Sequence, residues 1–158
     1  FGSQTMQLEL LSARPAAITQ IAKWYSDEWG YIGEGRSTSE LELKLNEYLN
    51  HDKLPLIITV RDNDELIAAA QLRFHEMDIY PDRTHWLGGV YVAAAYRGQG
   101  VAETLINAVI EKATALGVTR LNLQTENMTG GLYKKLGWQA VEQVTYHGIK
   151  VLVMEKLI

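Results

Sequence analysis

Apolar and polar positions follow two rhythms along the chain, and the switches between them mark its elements. Gln7–Leu11 reads as a first strand. Pro15 suits the first turn of a helix, where its missing N–H costs nothing. Ile18, Ile21, Ala22 and Tyr25 then recur at three- and four-residue spacing, which predicts a helix through about Tyr25. Trp29–Arg36 holds three glycines and reads as a loop. Ser37 and Glu40 form a capping-box pattern, and Leu41, Leu45, Tyr48 and Leu49 supply the apolar stripe of a second helix.

The rhythm then shortens. Leu56–Val60 is apolar and largely β-branched, Asp62-Asn63-Asp64 is a turn signal, and Leu66–His75 returns, so the two runs predict a hairpin. A loop, Asp78–Arg83, leads to another strand, Trp86–Val92. Gly88-Gly89 inside it marks a bulge or a close backbone approach. After the turn Arg97–Gly100, a long amphipathic helix runs from Val101 to Leu116. Leu105, Val109, Ala113 and Leu116 line its apolar face, and Gly117 stops it. Leu121–Thr125 is a strand, Thr129–Leu136 a short helix, and Gln139–Tyr146 and Ile149–Leu157 a last hairpin around His147-Gly148. The order β-α-α-β-β-β-α-β-α-β-β implies an α/β (α+β) fold, a mixed central sheet with helices on both faces.

With 158 residues and no repeat or linker, residues 6–158 read as one domain, and residues 1–5 as a disordered or tag-derived N-terminus. The chain has no Cys, which excludes disulfides, thiolate metal sites and a Cys nucleophile, and no His or carboxylate spacing suggests a metal. Net charge −4 opposes a nucleic-acid face. The charge is uneven: residues 1–84 carry −6, residues 85–138 carry +2, and the remainder balance. Neither a membrane span nor a signal peptide is legible, so a cytoplasmic protein is expected.

The most informative segment runs from Val90 through Ala102, a strand entering a glycine turn and then a helix. Glycines let backbone N–H groups converge, and the helix N-terminus adds partial positive charge, a combination suited to phosphate. A merely tight connection is one alternative. A Rossmann site fits poorly, because Glu103 stands where its third glycine belongs, and no Gly-Lys-Ser/Thr follows for a P-loop.

Arg97-Gly98-Gln99-Gly100-Val101-Ala102 resembles the Arg/Gln-x-x-Gly-x-Gly/Ala pyrophosphate loop of the GNAT family of N-acetyltransferases. Tyr133-Lys134-Lys135-Leu136-Gly137-Trp138 is similar to that family's Tyr-x-x-Leu-Gly-Phe motif, with Trp138 for Phe. The resemblance implies acetyl-CoA as cofactor. Its pyrophosphate would lie on the backbone of Arg97–Ala102, and its pantetheine arm in a gap between Trp86–Val92 and Leu121–Thr125. There the arm would pair with the backbone of Val90, Tyr91 and Val92 like an added strand. An N–H near Val92 would stabilise the oxyanion, Tyr133 would protonate the leaving sulfur, and Asn127 would touch the cofactor. Asn127 lies six positions before Tyr133, where seven is commoner.

The amine must lose a proton. The stretch corresponding to the family's usual carboxylate offers His85, which titrates in a suitable range but also reads as a surface residue. His75, Glu126, His147 and a water chain are alternatives. For the acceptor, Trp29, Glu28 and Tyr146 are the candidates, beside Tyr25, Asp27 and Glu34. These acidic and aromatic groups suit a cationic amine or, equally, core anchors and a solvated face. The expected activity is acetyl transfer to a primary amine of a small molecule. Transfer to a protein or peptide, or acyl-CoA sensing without turnover, are the rival readings. A homodimer fits the resemblance.

Overall fold

The computed structural model describes residues 6–29 and 37–158. Residues 1–5, and most of the expected loop Trp29–Arg36 with Glu34, lie outside the described residues. The elements follow the expected order: β1 (Met6–Leu10), α1 (Ile18–Trp29), α2 (Thr38–Leu45), β2 (Leu56–Asp62), β3 (Glu65–Phe74), β4 (His85–Val92), α3 (Val101–Ala115), β5 (Arg120–Thr125), α4 (Gly131–Lys135), β6 (Gln139–Tyr146) and β7 (Ile149–Leu157).

Local chemistry accounts for the boundaries. Pro15–Ala17 is a tight 3-10 turn ahead of α1, which continues one turn past Tyr25 because Trp29 still packs against Tyr25 and Tyr91. The capping box forms as expected: Ser37 Oγ accepts from Glu40 N–H at 3.2 Å, and Glu40 reaches back to Ser37 N–H. The helix α4 starts at Gly131 rather than Thr129, because Asn127 Oδ1 accepts from Thr129 N–H at 3.0 Å and closes a turn first.

The seven strands form one sheet in the order β1-β2-β3-β4-β5-β7-β6. Only β4 and β5 are parallel. The alternation of β3 sends Ala68, Ala70 and Leu72 to one face and Ala69 to the other. Against the first face α3 packs Val101, Leu105, Ile106, Val109 and Ala113; against the second, α1 packs Ile18, Ile21, Ala22, Trp24 and Tyr25. Each fully buried aliphatic side chain contributes about 1.5–3 kcal/mol. The small side chains of Ala68–Ala70 let helices sit close on both faces.

One break in the sheet matters for function. β4 and β5 share a single paired position, Trp86 with Asn122, and then part. β5 stays paired with β7 from Arg120 to Thr125, so the strand itself is intact. A polar pin closes the fork at its base. Arg83 Nη1 donates to Asn122 Oδ1 at 2.8 Å and to Glu155 Oε1 at 2.7 Å, and buried Asn122 donates to His85 O at 2.9 Å.

Candidate active site

The fork opens into a cavity of about 510 Å3. Leu87, Gly88, Gly89 and Val90 of β4 form one wall, and Leu123, Gln124 and Thr125 of β5 the other. Tyr133 of α4, Trp29 of α1 and the β6–β7 turn with Tyr146 and His147 complete it. Arg73 and Glu76 enter from the end of β3.

The bulge foreseen at Gly88-Gly89 is present: pairing of β3 with β4 shifts register between Ala69 and Gln71, opposite Gly89, whose φ is +55°. Tyr25 donates from its hydroxyl to Gly89 O at 2.7 Å and fixes the bulge. Ala93 N–H donates to Ile67 O, so strand alternation turns the N–H groups of Val90 and Val92 away from β3, toward the fork. Val92 O itself accepts from Arg97 Nε at 2.8 Å.

Glu76 is the carboxylate that sequence reasoning missed. Its neighbour Met77 is wholly buried with Trp86 and Val153, and this anchors the loop so that Glu76 turns into the cavity. Glu76 accepts from Gln124 Nε2 at 2.9 Å, and a Cβ at Gly88 would overlap its Oε1, so glycine makes room for it. Burial raises its pKa above the usual carboxylate value, against the opposing pull of Arg73 and the Gln124 hydrogen bond.

Tyr133 lines the same cavity and packs edge-on to Trp138, with ring centroids 6.1 Å apart. Burial, with the charge of Glu76 behind it, pushes its hydroxyl up to about 12, so it holds its proton at neutral pH. Asn127 also lines the cavity, although its Oδ1 is engaged by Thr129.

Beyond the end of β4, the exposed turn Arg97–Gly100 leads into α3. Gly100 caps the helix at φ +81° and no side chain caps it, so its first N–H groups are left to another partner. A Cβ at Gly98 or Gly100 would meet nothing within 4 Å, so the glycines answer a backbone need and leave the surface open. The Arg97 side chain lies 5.3 Å from the Tyr91 ring, and Tyr91 stacks on Trp24 at 4.8 Å, so both buttress the turn from within. A glycine turn opening a 15-residue helix beside a forked sheet fits a pyrophosphate with an extended amide-bearing arm.

Other expected residues fall elsewhere. His85 packs its ring 5.7 Å from Phe74 and is absent from the cavity lining; partial burial and His75 lower its pKa. Glu28 and Asp27 are exposed on α1 and also lie outside the lining. Trp29 and Tyr146 do line the cavity, and Tyr146 is tied to Asp78 Oδ1 at 3.0 Å. The imidazole of His147 packs tilted against the Tyr146 ring, with centroids 4.1 Å apart. Arg73 and Glu76 could have been suspected only from the polar alternation Gln71, Arg73 that ends β3. The register that brings this end to Gly88 is tertiary.

The sequence profile of the acetyltransferase (GNAT) family matches residues 18–138. An acetyltransferase of Pectobacterium atrosepticum is 26% identical over 113 residues, 70% of this chain and 75% of that one. The fold superposes on a Salmonella typhimurium protein assigned as an acetyltransferase and solved with its cofactor acetyl-CoA. The TM-score is 0.73 at 18% identity, over 97% of this chain and 94% of the other. It also superposes on a spermidine N-acetyltransferase from Vibrio cholerae, with TM-score 0.73 at 21% identity over 98% and 94%. The chain belongs to the GNAT acetyltransferase family. It is an acetyltransferase, and acetyl-CoA is its acetyl donor. No helix among the described residues is long and apolar enough to cross a membrane.

Proposed function

We propose that this protein acetylates a primary amine of a small molecule, with Glu76 as general base and Tyr133 as general acid. The carrying observation is the forked cavity, with Glu76, a carboxylate of raised pKa, and Tyr133, a protonated phenol, on its walls. Bound acetyl-CoA supplies an acetyl group activated as a thioester. Backbone N–H groups of Val90 and Val92 bind along its arm, and those opening α3 hold its pyrophosphate, with Asn127 beside them. Glu76 takes the proton that the incoming ammonium must shed; a base whose pKa has risen toward the working pH does this most effectively. Tyr133 holds at Oη the proton that the leaving sulfur needs.

A volume of about 510 Å3, shared by the cofactor's arm and the acceptor, is in the range of small-ligand sites and suits a compact acceptor. The same class appears in the spermidine acetyltransferase of similar fold. Incubation with acetyl-CoA and a panel of amines, read by thiol release, should give turnover with small primary amines. Acetyl-CoA alone should raise Tm. Turnover confined to peptides, or neither a thermal shift nor heat on titration with acetyl-CoA, overturns the reading.

A further inference from the structure

We infer that the acceptor carries an oxyanion as well as its amine, in the manner of an amino acid, and that Arg73 holds the anion while the amine meets Glu76. This rests on the small-amine reading and narrows it.

The argument starts from how the arginines are partnered. Arg61 and Arg83 each meet a carboxylate at 2.7 Å, Arg14 at 3.1 Å and Arg120 at 3.7 Å. Arg97 is engaged with Tyr91 and Val92. Arg73 differs: among the described residues it forms no ion pair, and its one side-chain hydrogen bond is a long 3.5 Å contact to Phe74 O. It is half-buried, lines the cavity, and carries its Cδ 3.5 Å from where a Cβ of Gly88 would stand. That is the same glycine against which Glu76 rests.

Arg73 and Glu76 therefore stand on one wall, attracting each other without closing into a salt bridge. A partly desolvated guanidinium without a counter-ion is costly unless a ligand supplies one. Its planar fork matches a carboxylate or phosphonate with two parallel hydrogen bonds. An ammonium a few bonds away from that anion falls to Glu76. A polyamine fits this wall poorly, since it must bring a second ammonium toward Arg73. Of the acidic residues that suggested a plain cation, Asp27 and Glu28 lie outside the cavity lining, and Glu34 lies outside the described residues. Among the described residues the other lining acid is Glu126, which follows β5 on the far side of the fork from β3.

The test compares four probe sets with acetyl-CoA: the standard L-amino acids, their C-terminal amides, aminoalkylphosphonates, and the polyamines putrescine and spermidine. The wild type should prefer an acid over its own amide. Arg73→Met should raise KM for the preferred acid about 10- to 100-fold, leave KM for the matching amide and for acetyl-CoA unchanged, and so erase the preference. Arg73→Lys should restore part of it. Equal or better use of amides or polyamines by the wild type overturns the assignment while leaving small-amine acetylation standing. An equal rise in KM for acid and amide in Arg73→Met also overturns it. Absence of turnover with every set overturns both, and the acetyl-CoA thermal shift then shows whether the cofactor site survives.

Discussion

Replacing Glu76 by glutamine should make the protein more stable and far less active. Glutamine keeps the shape and can still meet Gln124, but it neither ionises nor accepts a proton. As general base, Glu76 is expected to contribute about 10²–10⁴ in kcat. Its stability effect follows from its environment. Burial raises its folded pKa above 4.5, the ordinary value. The stabilisation associated with the protonated form is complete below the unfolded pKa and is lost as pH rises through the folded value. The ionised side chain therefore destabilises the fold at neutral pH, and glutamine removes that cost. Each pKa unit of elevation corresponds to about 1.4 kcal/mol, which for a domain of this size is about 3–6 °C in Tm. Thermal unfolding of wild type and Glu76→Gln at pH 4, 6 and 8 should give curves that coincide at the acid end and separate in favour of the variant as pH rises. The acid limb of the wild-type pH–rate profile should lie above the ordinary carboxylate range and vanish in the variant. A variant less stable than wild type at pH 8, or one that retains turnover, refutes the reasoning.

Tyr133→Phe should lower kcat about 10²–10⁴-fold while acetyl-CoA affinity by calorimetry stays close to wild type. The Tyr133 hydroxyl lies near 12, so activity should not fall through its ionisation at the usual tyrosine value of 10. Gly100→Ala places a Cβ at φ +81° and should destabilise by about 1–2 kcal/mol, with acetyl-CoA affinity weakened more than acceptor KM. Asn122→Leu leaves His85 O without its donor and should cost about 1–3 kcal/mol, read as a lower Tm.

The parts of the fold legible in the sequence are those that local chemistry decides. Ser37 with Glu40 fixes the start of α2, and the spacing of Leu105, Val109 and Ala113 fixes the face of α3. Gly88-Gly89 announced a bulge, and one is there. The turn Arg97–Gly100 and Tyr133 were legible because each is carried by a contiguous motif. The wall that carries Arg73 and Glu76 was not, because no contiguous motif builds it. Glu76 reaches the cavity through the Arg73–Trp86 register, the burial of Met77 and the missing Cβ of Gly88, and these belong to three separate segments. His85 was the nearer candidate in sequence, but β4 turns it toward Phe74.

Splitting a sheet is costly, since backbone N–H and C=O groups are left without partners. Two features make the fork tolerable here. The pin of Arg83, Asn122 and Glu155 confines it, so the strands part at one defined point and the rest of the sheet keeps its register. The unpaired edge of β4 is then a short template for any ligand that brings amides of its own, as an added strand would. In the proposed site, the anionic end of the cofactor likewise meets helix N–H groups rather than lysines. Both sources of affinity are invisible to a count of formal charge. This is how a chain of net charge −4 can bind a polyanion, and in the proposed site it leaves Arg73, which forms no ion pair among the described residues, to address the other substrate.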